Sequence, residues 1–150
     1  MTLHGIIPPM TTPFGADDEL MLDLVRGQVD WLVGQGVHGL AAGGSTGEGH
    51  TLDAAEFRDL VAATVKAVAG RVPVIAGIIV DSTRDAIRRA RMLRDLKVAA
   101  LQVTPVHYLF RPDDEAMLTH FKTVAEETGM HGGEALGRAR GRSLEGHWKH

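Results

Sequence analysis

Val74-Ile75-Ala76-Gly77-Ile78-Ile79-Val80 is apolar throughout, and Asp81-Ser82-Thr83 leads from it into an arginine-rich amphipathic segment over 84–96. A strand with no polar face expects cover on both sides, which is the habit of parallel sheets. Asp, Ser and Thr at the junction supply side-chain oxygens for a helix N-terminus. In the helix that follows, Ile87, Ala90 and Leu93 recur at helical spacing and form its inner face. Strand, cap and amphipathic helix together make one βα unit.

The same unit repeats on either side. Upstream, Asp53 with Glu56 three residues on opens a helix running to about Ala69, and Gly70-Arg71-Val72-Pro73 stops it. Before that, 37–42 is a short apolar run that closes on the glycine-rich stretch Gly43–Gly49. A helix is expected over 19–33, with Asp17-Asp18 near its start and Leu20, Leu24, Trp31 and Leu32 as burial candidates. Gly34 and Gly36 would end it, since glycine tolerates the left-handed conformation of a helix C-terminus. Gly5-Ile6-Ile7-Pro8 is the first strand candidate. Downstream, 98–103 is the fourth strand, 104–112 a loop, and 113–128 a helix opened by acidic residues.

Four βα units in succession predict an α/β fold with a parallel sheet. Chemistry in such sheets gathers at the carboxyl ends of strands. Three loops therefore matter: 11–15, 43–51 and 104–112. The 81–83 loop is too short to offer more than a cap.

Composition narrows the function classes. The 150 residues carry a formal net charge of -3, with 44% hydrophobic and 23% charged residues and no cysteine. Disulfides, thiolate metal sites and a cysteine nucleophile are excluded, and a cytoplasmic location is favoured. The pI near 6.2 and 5% aromatic content give no basis for binding nucleic acid or anionic lipid. No segment approaches the roughly 18 apolar residues of a membrane span. Residues 131–150 depart from the pattern: five glycines, four basic residues and two glutamates make this tail +2 and leave 1–130 at -5. It begins where a fifth strand is due. It is expected to be a disordered basic tail or out-of-frame sequence, giving a domain over 1–130 and an anomalous end over 131–150.

Gly43-Gly44-Ser45-Thr46-Gly47-Glu48-Gly49-His50-Thr51 is the strongest local signal. Gly44, Gly49 and Thr51 match the spacing of a phosphate loop, but His50 replaces the lysine that such a loop aims at the phosphates. Adjacent hydroxyls and free backbone N–H groups at a strand end equally suit a carboxylate. A purely structural turn is the third alternative.

Gly44-Ser45-Thr46-Gly47-Glu48, with Pro8 and Thr12-Pro13-Phe14 before it and Val103-Thr104-Pro105 after it, resembles the dihydrodipicolinate synthase and N-acetylneuraminate lyase family. The similarity covers about residues 4–130, in order and at the right separations, including Phe121 and Ala125-Glu126. The resemblance implies a (β/α)8 barrel whose lysine forms an imine with pyruvate or another 2-oxo acid. A protonated imine is an electron sink for aldol or dehydration chemistry. It implies that Thr46 and the backbone N–H of Gly47 hold the substrate carboxylate, and that Ser45 joins a hydroxyl relay for protons. It implies no cofactor and no metal.

Two departures from the family pattern stand out. Where aldolase members carry two tyrosines after Thr-Pro, this chain has Val106-His107-Tyr108. His107 and Tyr108 are relay candidates, and the change leans towards another 2-oxo acid or a sugar acid. The family's relay tyrosine and imine lysine would fall beyond residue 130. Lys66 and Lys122 lie in helices, Lys97 at the amino end of a strand, and Lys149 in the tail, so none is assigned as nucleophile. A full barrel takes about 250 residues. The expectation is thus an incomplete barrel of about four βα units, truncated before its lysine and inactive alone. The alternative is a non-catalytic half-barrel that pairs with itself or a complementary fragment through open sheet edges.

Overall fold

A computed structural model describes residues 3–106 and 112–129, together with the backbone of two short strands at 138–139 and 142–143. The elements follow the expected alternation. A 3-10 turn (Leu22–Leu24) runs into α1 (Val25–Gly34), then β1 (Leu40–Ala42), α2 (Ala54–Val68), β2 (Val74–Ile78), α3 (Thr83–Arg91), β3 (Ala100–Val103) and α4 (Asp114–Thr128). β1, β2 and β3 are neighbours in that order, and both pairings are parallel. In the tail, β4 (Arg138–Ala139) pairs antiparallel with β5 (Arg142–Ser143).

The first expected strand forms only in part. Residues 6–10 run alongside β1, with His38 N donating to the Ile6 carbonyl at 2.7 Å, Ala41 N to Pro8 at 3.1 Å and Met10 N to the Ala41 carbonyl at 2.8 Å. Only Pro9 and Ala41 form a parallel bridge. Pro8 and Pro9 carry no N–H, so the ladder cannot extend. This extended segment nonetheless fills the place of a first strand beside β1.

The sheet has two unequal faces. Leu40, Val74, Ala76, Ile78, Leu101 and Val103 join one large core with Val25 and Val29 of α1, Phe57, Leu60 and Val61 of α2, Ala86 and Ala90 of α3, and Phe121 and Val124 of α4. Ala41, Ile75 and Ala100 point the other way, against Leu3 and Ile7. Alternation along each strand separates these sets. Helices cover one face, and the other carries a thin layer of mostly small residues, as the inner wall of a barrel segment does.

Caps appear where the residues anticipated them. Asp53 accepts from Ala55 N and Glu56 N, and the Glu56 carboxylate accepts from Asp53 N at 2.8 Å, a complete capping box. Ser82 caps α3 through Asp85 N, and Asp113 caps α4 through Ala116 N. Helix α3 stops at Arg91, five residues short of its expected end; Met92–Leu96 continue as turns, with Leu93 buried.

The first helix needs correction. It begins later than 19, and Leu24 and Trp31 are 52% and 64% exposed instead of buried. Val25 and Val29 set the buried stripe, and residues 24 and 31 fall on another side of the helix. Beyond its end Gly36 takes φ +79°, a left-handed turn that suits glycine.

Candidate active site

Four segments converge at the carboxyl end of the sheet. They are Thr11-Thr12 after the extended segment, Gly43–Thr51 after β1, the Asp81–Thr83 junction after β2, and Thr104 after β3. Thr104 is fastened across to β2, its N and Oγ1 donating to the Ile78 carbonyl at 3.1 and 3.3 Å.

The glycine-rich loop folds back on itself. Gly43 takes φ +66°, and Gly49 N donates to the Gly44 carbonyl at 3.0 Å. Glu48 N donates to the Ser45 carbonyl at 3.2 Å, while the N and Oγ1 of Thr51 reach the Glu48 carbonyl at 2.9 and 2.8 Å. The buried Thr12 hydroxyl donates to the Gly47 carbonyl at 2.5 Å. Below the loop lies Gly77 of β2, so close that a Cβ there would stand 2.4 Å from Gly44 Cα. The backbone of 43–51 is thus pinned from within, from Thr12 and from β2.

The side chains on this pinned backbone are free. Ser45 and Thr46 are exposed, and neither hydroxyl makes a hydrogen bond among the described residues. The Gly47 N–H likewise makes none there. Two hydroxyls and a backbone donor thus sit unengaged on a rigid turn at a strand end, groups whose chemistry allows donation to an anion. His50, in the place of a phosphate-loop lysine, is exposed. Among the described residues no three His, Cys, Asp or Glu side chains cluster to hold a metal ion, and no helix is long and apolar enough to cross a membrane.

The sequence pattern of the Dihydrodipicolinate synthetase family matches residues 2–131. The chain belongs to that family. It is 38% identical over 125 residues to a 4-hydroxy-tetrahydrodipicolinate synthase from Methanosphaerula palustris, covering 82% of this chain and 43% of that protein. A crystal structure of a putative dihydrodipicolinate synthetase from Pseudomonas aeruginosa superposes with a TM-score of 0.84 at 34% identity, over 95% of this chain and 48% of the other. A prophage protein of the dihydrodipicolinic acid synthase family from E. coli K12, solved in complex with pyruvate, superposes with a TM-score of 0.77 at 29% identity, over 82% of this chain and 41% of that one. The chain spans a little under half the length of these relatives. Its parallel sheet with helices on one face is therefore an incomplete barrel of the synthetase family.

Ser45, Thr46 and Gly47 lie on one turn at the carboxyl end of β1. His107 and Tyr108 lie outside the described residues, as does Lys149. Lys66, Lys97 and Lys122 are all exposed; the first and third sit on α2 and α4, and Lys97 precedes β3 at the opposite end of the sheet from the loop.

Two site-flanking residues had no distinguishing signal in the sequence. Arg89 is one of several arginines on α3, and nothing in its spacing marks it out. His120 looks like an ordinary position on α4, yet it is 4% exposed and its Nδ1 lies 2.9 Å from the Thr83 hydroxyl. Its Nε2 is buried and has no hydrogen-bond partner among the described residues. Burial holds the imidazole below its ordinary range, although the Thr104 backbone favours the charged form. The folded chain therefore resists protonation that the unfolded chain accepts. Stability is complete above about pH 6.5, the unfolded value, and is lost progressively as pH falls below it. Thermal melts between pH 7 and pH 5 are expected to drop more steeply for the native chain than for His120→Gln; parallel curves would contradict this.

Proposed function

We propose that this chain supplies the carboxylate-binding half of a lyase site that acts on pyruvate or another 2-oxo acid through a lysine imine. The observation that carries this reading is the pair of unengaged hydroxyls, Ser45 and Thr46, beside the unengaged Gly47 N–H, on a loop that Thr12 and Gly77 hold in one shape. A backbone already held in one shape lowers the cost of ordering such donors around an anion. In this scheme Thr46 and Gly47 N–H grip the carboxylate. Ser45, next along, passes a proton to or from the reacting carbon, with His107 or Tyr108 as further relay members. The pyruvate complex of the E. coli relative supports the substrate class.

The imine requires an amine facing this loop. The three described lysines stand on helix exteriors or at the far end of the sheet, so the amine comes from outside the described residues. Titrating the isotope-labelled chain with pyruvate should shift the amides of Ser45, Thr46 and Gly47 selectively. Adding borohydride should leave Lys66, Lys97 and Lys122 unmodified. Uniform or absent shifts, or an adduct on any of these three, would overturn the reading.

A second reading has its own observation. Leu24 and Trp31 leave an apolar side of the first helix exposed. A non-catalytic half-barrel that pairs with a second copy or a complementary fragment would bury it. In that case the melting temperature should rise with protein concentration.

A further inference from the structure

Arg89 of α3 reaches to the far end of the carboxylate loop, about which nothing in the sequence had set it apart. Its Nη1 donates to the Gly49 carbonyl at 2.9 Å and its Nη2 to the Leu52 carbonyl at 2.8 Å. Its guanidinium also lies 5.1 Å from the centroid of the Phe57 ring. Phe57 is fully buried, and its ring occupies the space a side chain at Gly43 would need, 2.7 Å from that Cβ position. One ring and one guanidinium, stacked together, thus border both ends of the loop that presents Ser45, Thr46 and Gly47.

We propose that Arg89 is a positioning residue for the 2-oxo-acid carboxylate, acting through the Gly43–Leu52 loop and resting on the carboxylate reading of Thr46 and Gly47. Its neighbours on α3 behave differently. Arg88 pairs with Asp85 and Arg91 with Glu127, both near the surface. Arg89 makes no ion pair among the described residues and spends its donors on two carbonyls instead. A planar guanidinium can hold two carbonyls in fixed relation, which a lysine's single ammonium cannot. Partial burial opposes the charged form, as does Arg88 nearby, while Asp85 and Asp53 favour it. An arginine stays protonated regardless. The site therefore keeps a partly desolvated cation, with no ion pair among the described residues, hydrogen-bonded to the far end of a loop read here as an anion receptor. Its field favours that anion, and its hydrogen bonds hold the donors in place.

The test compares the native chain with Arg89→Leu, Arg89→Lys and Val29→Ala, the last a core change on α1 that lowers stability away from the loop. Two quantities are read: pyruvate affinity from amide shifts at 45–47, and hydrogen exchange at Gly49 and Thr51, whose N–H groups close the loop. Arg89→Leu is expected to weaken pyruvate binding about tenfold, as the loop loses the charge-assisted bonds that hold its donors in place. It should also speed exchange at Gly49 and Thr51 while α2 interior amides keep their rates. Arg89→Lys should recover part of both, and Val29→Ala should change neither. The assignment fails if Arg89→Leu leaves affinity unchanged, or if Val29→Ala weakens binding equally, since the arginine would then be merely structural. If the native chain shows no selective shift with pyruvate, the carboxylate reading fails first; the exchange rates still report whether Arg89 holds the loop.

Discussion

Gly77→Ala will lower the melting temperature by roughly 6–12 °C, corresponding to a loss of about 3 kcal/mol in a chain of this size. The new Cβ would sit 2.4 Å from Gly44 Cα, 2.6 Å from Gly44 N and 2.9 Å from the Gly43 carbonyl carbon. These are backbone atoms, so no side-chain rotation can relieve the contact. Nor can β2 withdraw. Residue 77 pairs with Gln102 of β3, and the adjoining Ala76 pairs with both Ala42 and Leu101. The loop must move instead, and it carries Ser45, Thr46 and Gly47 with it. Against a total stability of about 5–15 kcal/mol, such a loss is large. Gly27→Ala provides the contrast. It lies inside α1 with nothing within 4 Å of its Cβ position, so alanine should stabilise the chain by about 0.5–1 kcal/mol through lower unfolded-state entropy. Thermal denaturation of the two variants side by side decides the matter: equal melting points would show that the close approach of β2 to the loop is illusory.

The contrast between those two glycines shows where local sequence information ends. The apolar run of β2, the Asp53–Glu56 capping box and the Ser82 cap on α3 rest on contacts within a few residues, and all were legible. So was the cluster of Ser45, Thr46 and Gly47, because three adjacent residues share one turn. Gly77 reads only as a gap in an apolar strand, since the backbone it faces at Gly44 lies in another βα unit. Arg89 is equally opaque: its carbonyl partners are 40 and 37 residues away. Trp31 misled for the opposite reason. A large aromatic in a helical pattern suggests burial, but the stripe that is actually buried is defined by Val25 and Val29. Pro8 and Pro9 permitted an extended chain beside β1 while removing the donors of a full strand. Long-range placement, more than element type, is what the residues alone left open.

Thr46→Val should weaken pyruvate binding by about ten- to a hundredfold, the equivalent of about 1.5–3 kcal/mol for a hydrogen bond to a charged group. Valine keeps the shape and branching of threonine and removes the donor. Because Thr46 is exposed and its hydroxyl makes no hydrogen bond among the described residues, the melting temperature should hardly change. That separation distinguishes a binding group from a structural one: Thr12→Val, which breaks the buried bond to the Gly47 carbonyl, should lower stability and affinity together. Thr46→Ser retains the hydroxyl and should restore most of the affinity. Ser45→Ala should leave the affinity nearly intact, because the proposed mechanism gives Ser45 proton transfer and not the carboxylate. If Thr46→Val binds pyruvate as the native chain does, while Ser45→Ala loses binding, the two hydroxyls have exchanged roles. If neither matters, the Gly47 N–H and the field of Arg89 must hold the anion without them, and the turn's hydroxyls would have to be explained by some other ligand.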